Sequence, residues 1–405
     1  MKIKDVFILL LSIVTVFSCS NDDISKNKNK HLDQTFNRSR ARDLGVDVGI
    51  MKTGELNAIT DVSGVMVGHK TLIVGDSIRT GVTAILPHPG NIFQQKVPGA
   101  IYCFNAFGKL AGFTQVEELG NIETPIILTN TLSVGTAVEA LVKYTLIQEG
   151  NQNVRSVNAV VGETNDGYLN DIRGQHIRSN DIFEAIRTAT RNIPQEGSVG
   201  GGTGTSAFGY KGGIGTSSRL IPPIDGKSYT IGVLVQSNFG WELTINGVPF
   251  SREVRQEKYN KINQKDDGSC MIVIATDAPL SPRNLKRLAK RSFTGMGRTR
   301  AVMSNGSGDY AISFSTAYRI PYQNIGQTIE IPPLVDNDSM TSLFRAVEEA
   351  TQEAIYNSLF MATTIKGYKG HTREAIPLDE VTRIMKKYNM LNLQDRLNWT
   401  PYSYD

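Results

Sequence analysis

Apolar residues recur at intervals of three and four positions in five segments of the chain. This spacing predicts amphipathic helices that each turn one apolar face towards a core. In one of them, Ser281 and Pro282 supply an N-cap residue and a proline at the first helical position, both favoured at helix starts. The predicted helices run from Ser133 to Gln148, Asn180 to Arg191, Ser281 to near Gly295, Asp338 to Phe360 and Leu378 to Lys387.

Shorter runs rich in β-branched and apolar residues lie between these helices and predict strands. The runs are Asn158 to Gly162, Tyr229 to Gln236, Met271 to Ala275 and Ala311 to Ser315. Strands that cluster with helices grouped between them favour sheets covered by helices in one compact α+β domain. By contrast, the segment from Ser251 to Asp267 has few apolar residues, and we expect it to be an exposed loop.

A glycine-rich stretch from Gly200 to Arg219 invites comparison with phosphate-binding loops. Gly204 and Gly209 have the glycine spacing of the Gly-x-x-x-x-Gly-Lys-Ser/Thr motif. However, Tyr210 stands where that motif has lysine, and Lys211 stands where it has serine or threonine. No predicted strand leads into it, which disfavours a dinucleotide site. The stretch is more typical of a tight glycine hairpin in which backbones approach closely.

The candidate chemistry lies at Gly268-Ser269, where the predicted loop meets the buried strand. Glycine has no side chain, so the serine hydroxyl can approach the preceding carbonyl in a backbone conformation closed to other residues. Cleavage of this bond would give Ser269 a free α-amine with an ordinary pKa of about 7.7 to 8, suited to act as general base for its own hydroxyl. The pair therefore predicts a self-cleavage site, although an isolated Gly-Ser pair is also an ordinary turn.

Other catalytic signatures are missing from the sequence. It has no His-Glu-x-x-His, Cys-x-x-Cys or Gly-x-Ser-x-Gly motif. The five histidines are scattered among polar neighbours, so we expect surface or loop positions, no metal site and no cofactor. A Ser-His-Asp triad stays open, because triads assemble in space. Cys103 and Cys270 predict buried free thiols, and Cys270 as nucleophile would face away from Ser269.

Seven stretches occur in an order that resembles the DmpA/BapA family of self-processing N-terminal-serine aminopeptidases. That family comprises L-aminopeptidase/D-amidase/D-esterases and β-peptidyl aminopeptidases, and the resemblance runs from Ala41 to about Leu378. The stretches are Arg40 to Gly45, Asn57 to Val62, Thr129 to Gly135, Gly162 to Gly167, Gly200 to Arg219, Gly268 to Pro279 and Ser304 to Asp309. The resemblance implies a four-layer αββα sandwich, self-cleaved between Gly268 and Ser269 into an α subunit (41–268) and a β subunit (269–405).

The resemblance also implies roles for individual residues. Ser269 is the expected nucleophile, and Asn238 matches the family's oxyanion asparagine, although it is also a plausible turn residue after a strand. Ser307 and Asp309 match the serine and acidic residue that flank the nucleophile. There Ser307 would bond the Ser269 amine or hydroxyl and relay a proton, and Asp309 would hold the ammonium. Some relatives have glutamate in place of Asp309, and a glycine-rich turn is the other interpretation of this segment.

Glu163, Asp166 and Tyr168 follow another strand end and are candidates to bind the substrate's ammonium group or carbonyl. The implied activity is that of an aminopeptidase or amidase, which removes N-terminal residues from small peptides, amides or esters through an acyl-enzyme. The implied assembly is a homo-oligomer of processed αβ units. Two alternatives stay open: an acyltransferase like ornithine acetyltransferase, whose nucleophile is threonine, and a non-catalytic surface lipoprotein that binds its ligand on the same scaffold.

The amino terminus carries its own signal. Lys2 and Lys4 precede an apolar run, Val6 to Phe17, that is too short to span a bilayer and is typical of a secretory peptide. The run leads to Cys19 in a sequence resembling a bacterial lipobox. We expect a signal peptide over 1–18, a lipid anchor on Cys19, a polar tether over 19–40 and a single hydrolase domain over 41–405. A plain signal peptide is the alternative.

The composition is that of a globular protein. The 405 residues are 40% hydrophobic, enough for one large core or two ordinary ones. The net charge of +4 is small for this length, and the lysines and arginines are interspersed with acids. The basic blocks Lys286 to Arg291 and Lys386-Lys387 have helical spacing, as on solvated helix faces. We therefore expect no nucleic-acid partner. The predicted location is the bacterial cell envelope, as a lipoprotein favouring the outer membrane, because Ser20 carries no retention charge.

Overall fold

A computed structural model describes residues 38–258, 268–322 and 326–397. In this part of the chain the α-helices are α1 Phe113–Leu119, α2 Val134–Leu146, α3 Ser179–Arg187, α4 Phe250–Lys258, α5 Pro282–Arg298, α6 Met340–Phe360, α7 Leu378–Lys387 and α8 Leu393–Arg396. The strands are β1 Met66–Val74, β2 Ile78–Leu86, β3 Gln95–Ala106, β4 Leu110–Ala111, β5 Asn121–Ile122, β6 Ile126–Asn130, β7 Val160–Thr164, β8 Ser206–Ala207, β9 Tyr210–Lys211, β10 Gly213–Ile224, β11 Lys227–Asn238, β12 Ser269–Thr276, β13 Gly308–Ser315, β14 Ile320–Pro321, β15 Ile365–Lys366 and β16 Thr372–Arg373.

The helices and strands predicted from apolar spacing are all present. Helix α7 begins and ends at the predicted residues. The Ser281 hydroxyl caps α5 by accepting the backbone N–H of Asn284 at 3.3 Å. Strand β7 lies two residues later than predicted, over Val160–Thr164, and the other three predicted strands are longer than their apolar runs. Ladder hydrogen bonds continue past the apolar residues, which explains the extra length.

The expectation of an exposed loop from Ser251 to Asp267 is wrong for its first part, which forms helix α4. This helix packs on the core through two apolar residues: Phe250 is fully buried, and Val254, one turn later, packs against the same cluster. Glu253 ties the helix to the end of α7 by bonds of 2.6 Å to Lys387 and to the Tyr388 hydroxyl. The remainder of the expected loop, 259–267, lies outside the described residues.

Most strands form two sheets. The first sheet has the order β1-β2-β6-β7-β4, and the second has the order β10-β11-β12-β13-β3-β14, with β5 also paired to β3. Strands β6 and β7 run parallel, as do β12 and β13, and the other neighbours are antiparallel. Two small hairpins, β8–β9 and β15–β16, stand apart from both sheets.

Three apolar clusters separate four layers. One joins α2 and α3 to the first sheet, through residues such as Leu141 and Val161. The second lies between the sheets and contains Leu128 and Met271. The third joins the second sheet to α5 and α6. The order helix, sheet, sheet, helix confirms the α+β, four-layer αββα sandwich.

The glycine-rich stretch forms a 3-10 turn, the β8–β9 hairpin and the start of β10, in agreement with the predicted hairpin. Its close approach is clearest at Gly215 of β10. A Cβ there would lie 2.0 Å from the Ala354 carbonyl oxygen of α6, so only glycine lets this helix pack directly on the strand.

Strand ends from both sheets meet at one end of the sandwich. Strand β11 ends there at Asn238, and β12 and β13 begin there at Ser269 and Gly308. The parallel strands β6 and β7 of the first sheet also end there, which brings Glu163 to the same region. Among residues 38–258, 268–322 and 326–397, no helix has both the length and the apolar character needed to cross a bilayer.

Candidate active site

Ser269 is the first residue of β12 and is 5% exposed. The Gly268 carbonyl accepts the Gly308 backbone N–H at 3.2 Å, so the Gly268-Ser269 peptide is held on one side by β13. A Cβ at position 268 would lie 2.9 Å from Phe239 Cα and Cβ. Glycine is therefore required before Ser269 because of a close backbone approach, a reason that the sequence did not reveal.

Asn238 lies directly opposite Ser269 in the antiparallel register of β11 and β12. Its Oδ1 accepts the Ser206 backbone N–H at 2.9 Å. Since a backbone N–H can only donate, this bond fixes the orientation of the amide and turns Nδ2 towards the nucleophile. Nδ2 lies 3.3 Å from Ser269 Oγ and also donates to the Asn165 carbonyl at 3.0 Å. The site thus presents an oriented N–H donor beside the hydroxyl.

Ser269 and Asn238 line a cavity of about 420 Å³. The same cavity is lined by Gly268, Glu163 and Tyr168, so the structure brings together most of the residues that the sequence singled out. It also adds lining residues that sequence reasoning missed: Phe107, Lys109, Thr131, Ser206, Phe208 and Arg373.

Glu163 is the acidic group of the cavity wall and is 3% exposed. One carboxylate oxygen accepts the Thr131 hydroxyl, and the other accepts the Lys109 backbone N–H at 3.0 Å. Burial raises the pKa of Glu163, while these two bonds and the Lys109 charge oppose the rise. Each oxygen keeps a lone pair, so the carboxylate retains capacity to accept from a cationic ligand.

Tyr168 is 40% exposed and forms a stack at the mouth of the cavity. The His371 ring lies parallel to it, with centroids 4.4 Å apart, and the Arg373 guanidinium carbon lies 3.7 Å from the centroid of the tyrosine ring. His371 Nδ1 also bonds the Tyr168 carbonyl at 2.8 Å. Tyr168 therefore joins the C-terminal hairpin β15–β16 to the site.

Asp166 does not join the other candidates, which corrects its expected place in substrate binding. It is 1% exposed, accepts the Asn170 side-chain amide at 3.0 Å and does not line the cavity. Burial raises the pKa of Asp166 to about 7. Lys211, whose pKa burial lowers to about 7, lies near it and donates to the Gly202 and Gly212 carbonyls at 2.7 Å. Asp166 lies against the glycine-rich stretch, where a Cβ on Gly204 would be 2.8 Å from the Asp166 Cβ.

Ser307 and Asp309 lie beside the Ser269 backbone, and both side chains are buried. The register pairs Asp309 with Cys270, so its carboxylate is on the strand face opposite the Ser269 hydroxyl. The Ser307 hydroxyl and both Asp309 oxygens make no hydrogen bond of good geometry in the intact chain. Burial raises the pKa of Asp309 to about 6, partly opposed by the nearby Ser307 hydroxyl and Cys270 backbone amide.

The cysteines and histidines lie away from the Ser269 hydroxyl or in positions that differ from those expected. Cys270 is fully buried in the core between the second sheet and its helices, and burial raises the pKa of its thiol well above the ordinary value. Cys103 is only half-buried, less than expected. His69 lies in β1 and His88 is buried, so the expected surface or loop placement is wrong for His69. Within the described ranges, no group of three His, Cys, Asp or Glu residues could hold a metal ion.

The chain is similar to known peptidases over most of its length. The model of peptidase family S58 matches residues 57–373. The chain is 42% identical over 375 residues to the β-peptidyl aminopeptidase BapA of Sphingosinicella microcystinivorans, covering 87% of this chain and 93% of that protein.

Solved structures agree with the sequence comparison. The PH0078 protein from Pyrococcus horikoshii OT3 superposes with a TM-score of 0.81 at 48% identity, over 86% of this chain and 99% of that one. The L-aminopeptidase D-Ala-esterase/amidase of Ochrobactrum anthropi, described as a prototype for the serine aminopeptidases and a variant of the Ntn hydrolase fold, gives a TM-score of 0.81 at 35% identity, over 87% and 99%.

The sandwich and the buried serine at its strand junction define a hydrolase with an N-terminal nucleophile, of the serine aminopeptidase and amidase class. The chain belongs to peptidase family S58. The resemblance to the DmpA/BapA aminopeptidases is thereby confirmed.

Proposed function

We propose that the chain cuts its own Gly268-Ser269 bond and that Ser269 then hydrolyses the amide or ester bond after the N-terminal residue of a small substrate. The observation that carries this proposal is the Asn238 amide, oriented by the Ser206 backbone, with Nδ2 3.3 Å from the Ser269 hydroxyl at a cavity wall. An oriented donor at this place can stabilise the oxyanion that forms when the hydroxyl attacks a carbonyl.

Once the Gly268-Ser269 bond is cut, the proposed hydrolysis uses Ser269, Asn238 and water. The α-amine of Ser269 takes the hydroxyl proton as Oγ bonds to the substrate's carbonyl carbon, and Asn238 donates to the oxyanion. The C–N bond then breaks, and the leaving amine takes the proton back. Water hydrolyses the acyl ester by the same proton transfers in reverse order and frees Ser269.

The unpaired carboxylate of Asp309 supports a role in holding the new ammonium. In the intact chain this acid is buried beside the Ser269 backbone without a hydrogen-bond partner, which is costly for a charged group. Cleavage would create a cation at that backbone nitrogen, and an opposite charge nearby favours the ionised acid. Ser307 is next to the same carboxylate and would relay protons between the amine and the site.

Asp309→Asn should stabilise the uncut Ser269→Ala protein at pH 8 and leave it unchanged near pH 4. The folded-state pKa of Asp309, about 6, lies above the usual aspartate value, so its stabilising protonated form is complete below about pH 4 and is lost as the pH rises through 6. The unpaired charge at pH 8 then costs about 1 to 3 kcal/mol. Urea unfolding at pH 4, 6 and 8 measures the difference, and a pH-independent effect of the substitution would contradict it.

Glu163 supports recognition of a free amino group, because it is the acid of the cavity wall and keeps accepting capacity. The function is tested with a panel of L-, D- and β-aminoacyl amides and esters and their N-acetylated forms. We expect hydrolysis of members with a free amine and at least about tenfold slower hydrolysis of the acetylated ones, since an acetylated amine has no charge to pair with the buried Glu163 carboxylate. Equal rates for the free and acetylated substrates would contradict an ammonium site at Glu163. Absence of hydrolysis for every member would reject the proposed function.

We also propose an envelope location and a homo-oligomer of processed units, both supported by the sequence resemblance alone. Cys19, the signal segment and tether residues 19–37 lie outside the described residues. The last part of the expected tether belongs to the fold, because Arg38 bonds the Ile376 carbonyl at 2.9 Å and Arg40 pairs with Glu196 at 2.7 Å. Lipid on Cys19 should sediment the wild type with membranes, since several acyl chains at about 0.8 kcal/mol per buried methylene anchor firmly. Fractionation with a Cys19→Ala control decides this. Equal solubility of the two proteins would assign an ordinary secretory signal.

A further inference from the structure

Arg373 is held in a fixed position in the wall of the catalytic cavity. Its Nε donates to the Ser206 hydroxyl at 3.2 Å, and its guanidinium carbon lies 3.7 Å from the Tyr168 ring centroid. Tyr168 is itself packed parallel to His371. Ser206 therefore fixes one edge of the guanidinium and Tyr168 one face, without a bound ligand.

The other N–H groups of this guanidinium have no acceptor in the part of the chain that the structure describes. A guanidinium carries five N–H donors, and the bond to Ser206 uses one of them. Three other arginines of the fold, Arg40, Arg42 and Arg219, each form an ion pair with a glutamate, whereas Arg373 forms none among residues 38–258, 268–322 and 326–397. An oriented guanidinium with free terminal nitrogens can bind a carboxylate through two parallel bonds.

Arg373 lies on the Asn238 side of the nucleophile. Ser206 links the two, because its hydroxyl accepts from Arg373 and its backbone N–H donates to Asn238 Oδ1 at 2.9 Å. Glu163 supplies the negative charge of the same cavity. The second cation of the wall, Lys109, acts on Glu163, because its backbone N–H bonds that carboxylate and its charge lowers the pKa of Glu163. The cavity thus offers one group for an ammonium and another for a carboxylate.

We propose that Arg373 binds the carboxylate of the leaving amino acid, so that the preferred substrates are dipeptides with both ends free. This inference rests on the proposed hydrolysis at Ser269. A dipeptide zwitterion matches the two charges of the wall, and a cavity of about 420 Å³ is at the small end of the range for small-molecule sites. Little ordering is needed on binding, since the guanidinium is already fixed.

The test compares three substrates that share one N-terminal residue: a free dipeptide ending in alanine, the same dipeptide as its C-terminal amide, and the p-nitroanilide. For the wild type we expect kcat/KM for the free dipeptide to exceed that for the amide by about 10- to 100-fold, as charge-assisted hydrogen bonds give. Arg373→Gln should abolish this preference by lowering kcat/KM for the free dipeptide about 10- to 100-fold more than kcat/KM for the amide. Arg373→Lys keeps the positive charge but loses the planar pair of N–H donors, and it should retain part of the preference.

The p-nitroanilide separates failure of this inference from failure of the proposed function. Anilide hydrolysis without preference for the free carboxylate would overturn the role of Arg373 and leave the function standing. Absence of hydrolysis for all three substrates would overturn both. Loss of the preference in Lys109→Gln, with its retention in Arg373→Gln, would assign the carboxylate to the other cation. Arg383→Gln, at an exposed ion pair of α7 with Glu380, serves as the control for charge removal alone.

Discussion

Ser269→Ala is expected to leave the chain uncut and to lower hydrolysis by about 10⁴-fold or more, the scale seen when a catalytic nucleophile is removed. The wild type should separate on a denaturing gel into pieces of about 27 and 15 kDa, at about 0.11 kDa per residue with the signal segment removed. The alanine variant should give one band. Both effects have one cause, because the same hydroxyl attacks the Gly268 carbonyl in the precursor and the substrate carbonyl afterwards.

The matched control for this change is the next residue along the strand. Cys270 faces the core on the opposite side of β12, and we expect Cys270→Ala to be cut and active. A purified wild-type protein that is fully active as a single uncut chain would reject self-processing. Cleavage in Ser269→Ala at the same bond would show that another group performs the cut.

Asn238→Ala is expected to lower kcat by about 10²- to 10³-fold with little change in KM, since an oxyanion donor acts mainly in the transition state. Asn238→Asp is the sharper variant. It keeps the shape and the acceptor for the Ser206 backbone N–H, and it loses the donor that faces Ser269. Steady-state kinetics on an aminoacyl amide measure both variants.

Self-processing should be less sensitive to these substitutions than hydrolysis is. The Gly268 carbonyl already accepts a backbone N–H from Gly308, a donor that no side-chain change removes. Both Asn238 variants should therefore still give two bands. Near wild-type turnover in Asn238→Asp would make Asn238 a turn residue and leave the oxyanion donor unassigned.

Helix prediction succeeded where the signal is local. Apolar spacing and the Ser281 cap define α5 without knowledge of its partners, and α7 matches its predicted ends. Helix α4 was missed because its stability comes from contacts across the fold: Glu253 binds residues at the end of α7 that are more than a hundred positions away. A window of sequence contains no information about such partners.

In the site, too, local sequence motifs located some residues, and the roles of others became visible only in the folded structure. The motif around Gly162 to Gly167 located Glu163, but it gave no reason to separate Glu163 from Asp166, three residues later. The distinction arises because Glu163 is in β7 and faces the cavity, whereas Asp166 follows the strand end and turns into the glycine-rich hairpin. Arg373 carried no sequence signal at all, because its role depends on a stack with Tyr168 that forms only when the chain folds.

The strand order of the second sheet has a consequence for how the protein can be made. Strands β10 and β11 come from before the Gly268-Ser269 bond, β12 and β13 from after it, β3 again from before and β14 from after. The first sheet lies entirely before that bond, but neither piece alone contains the whole second sheet, and each would expose strand edges that the other covers. We therefore expect that the two pieces, if encoded as separate genes, would aggregate when expressed apart. Synthesis as one chain ensures that the strands interleave before the connection between them is lost.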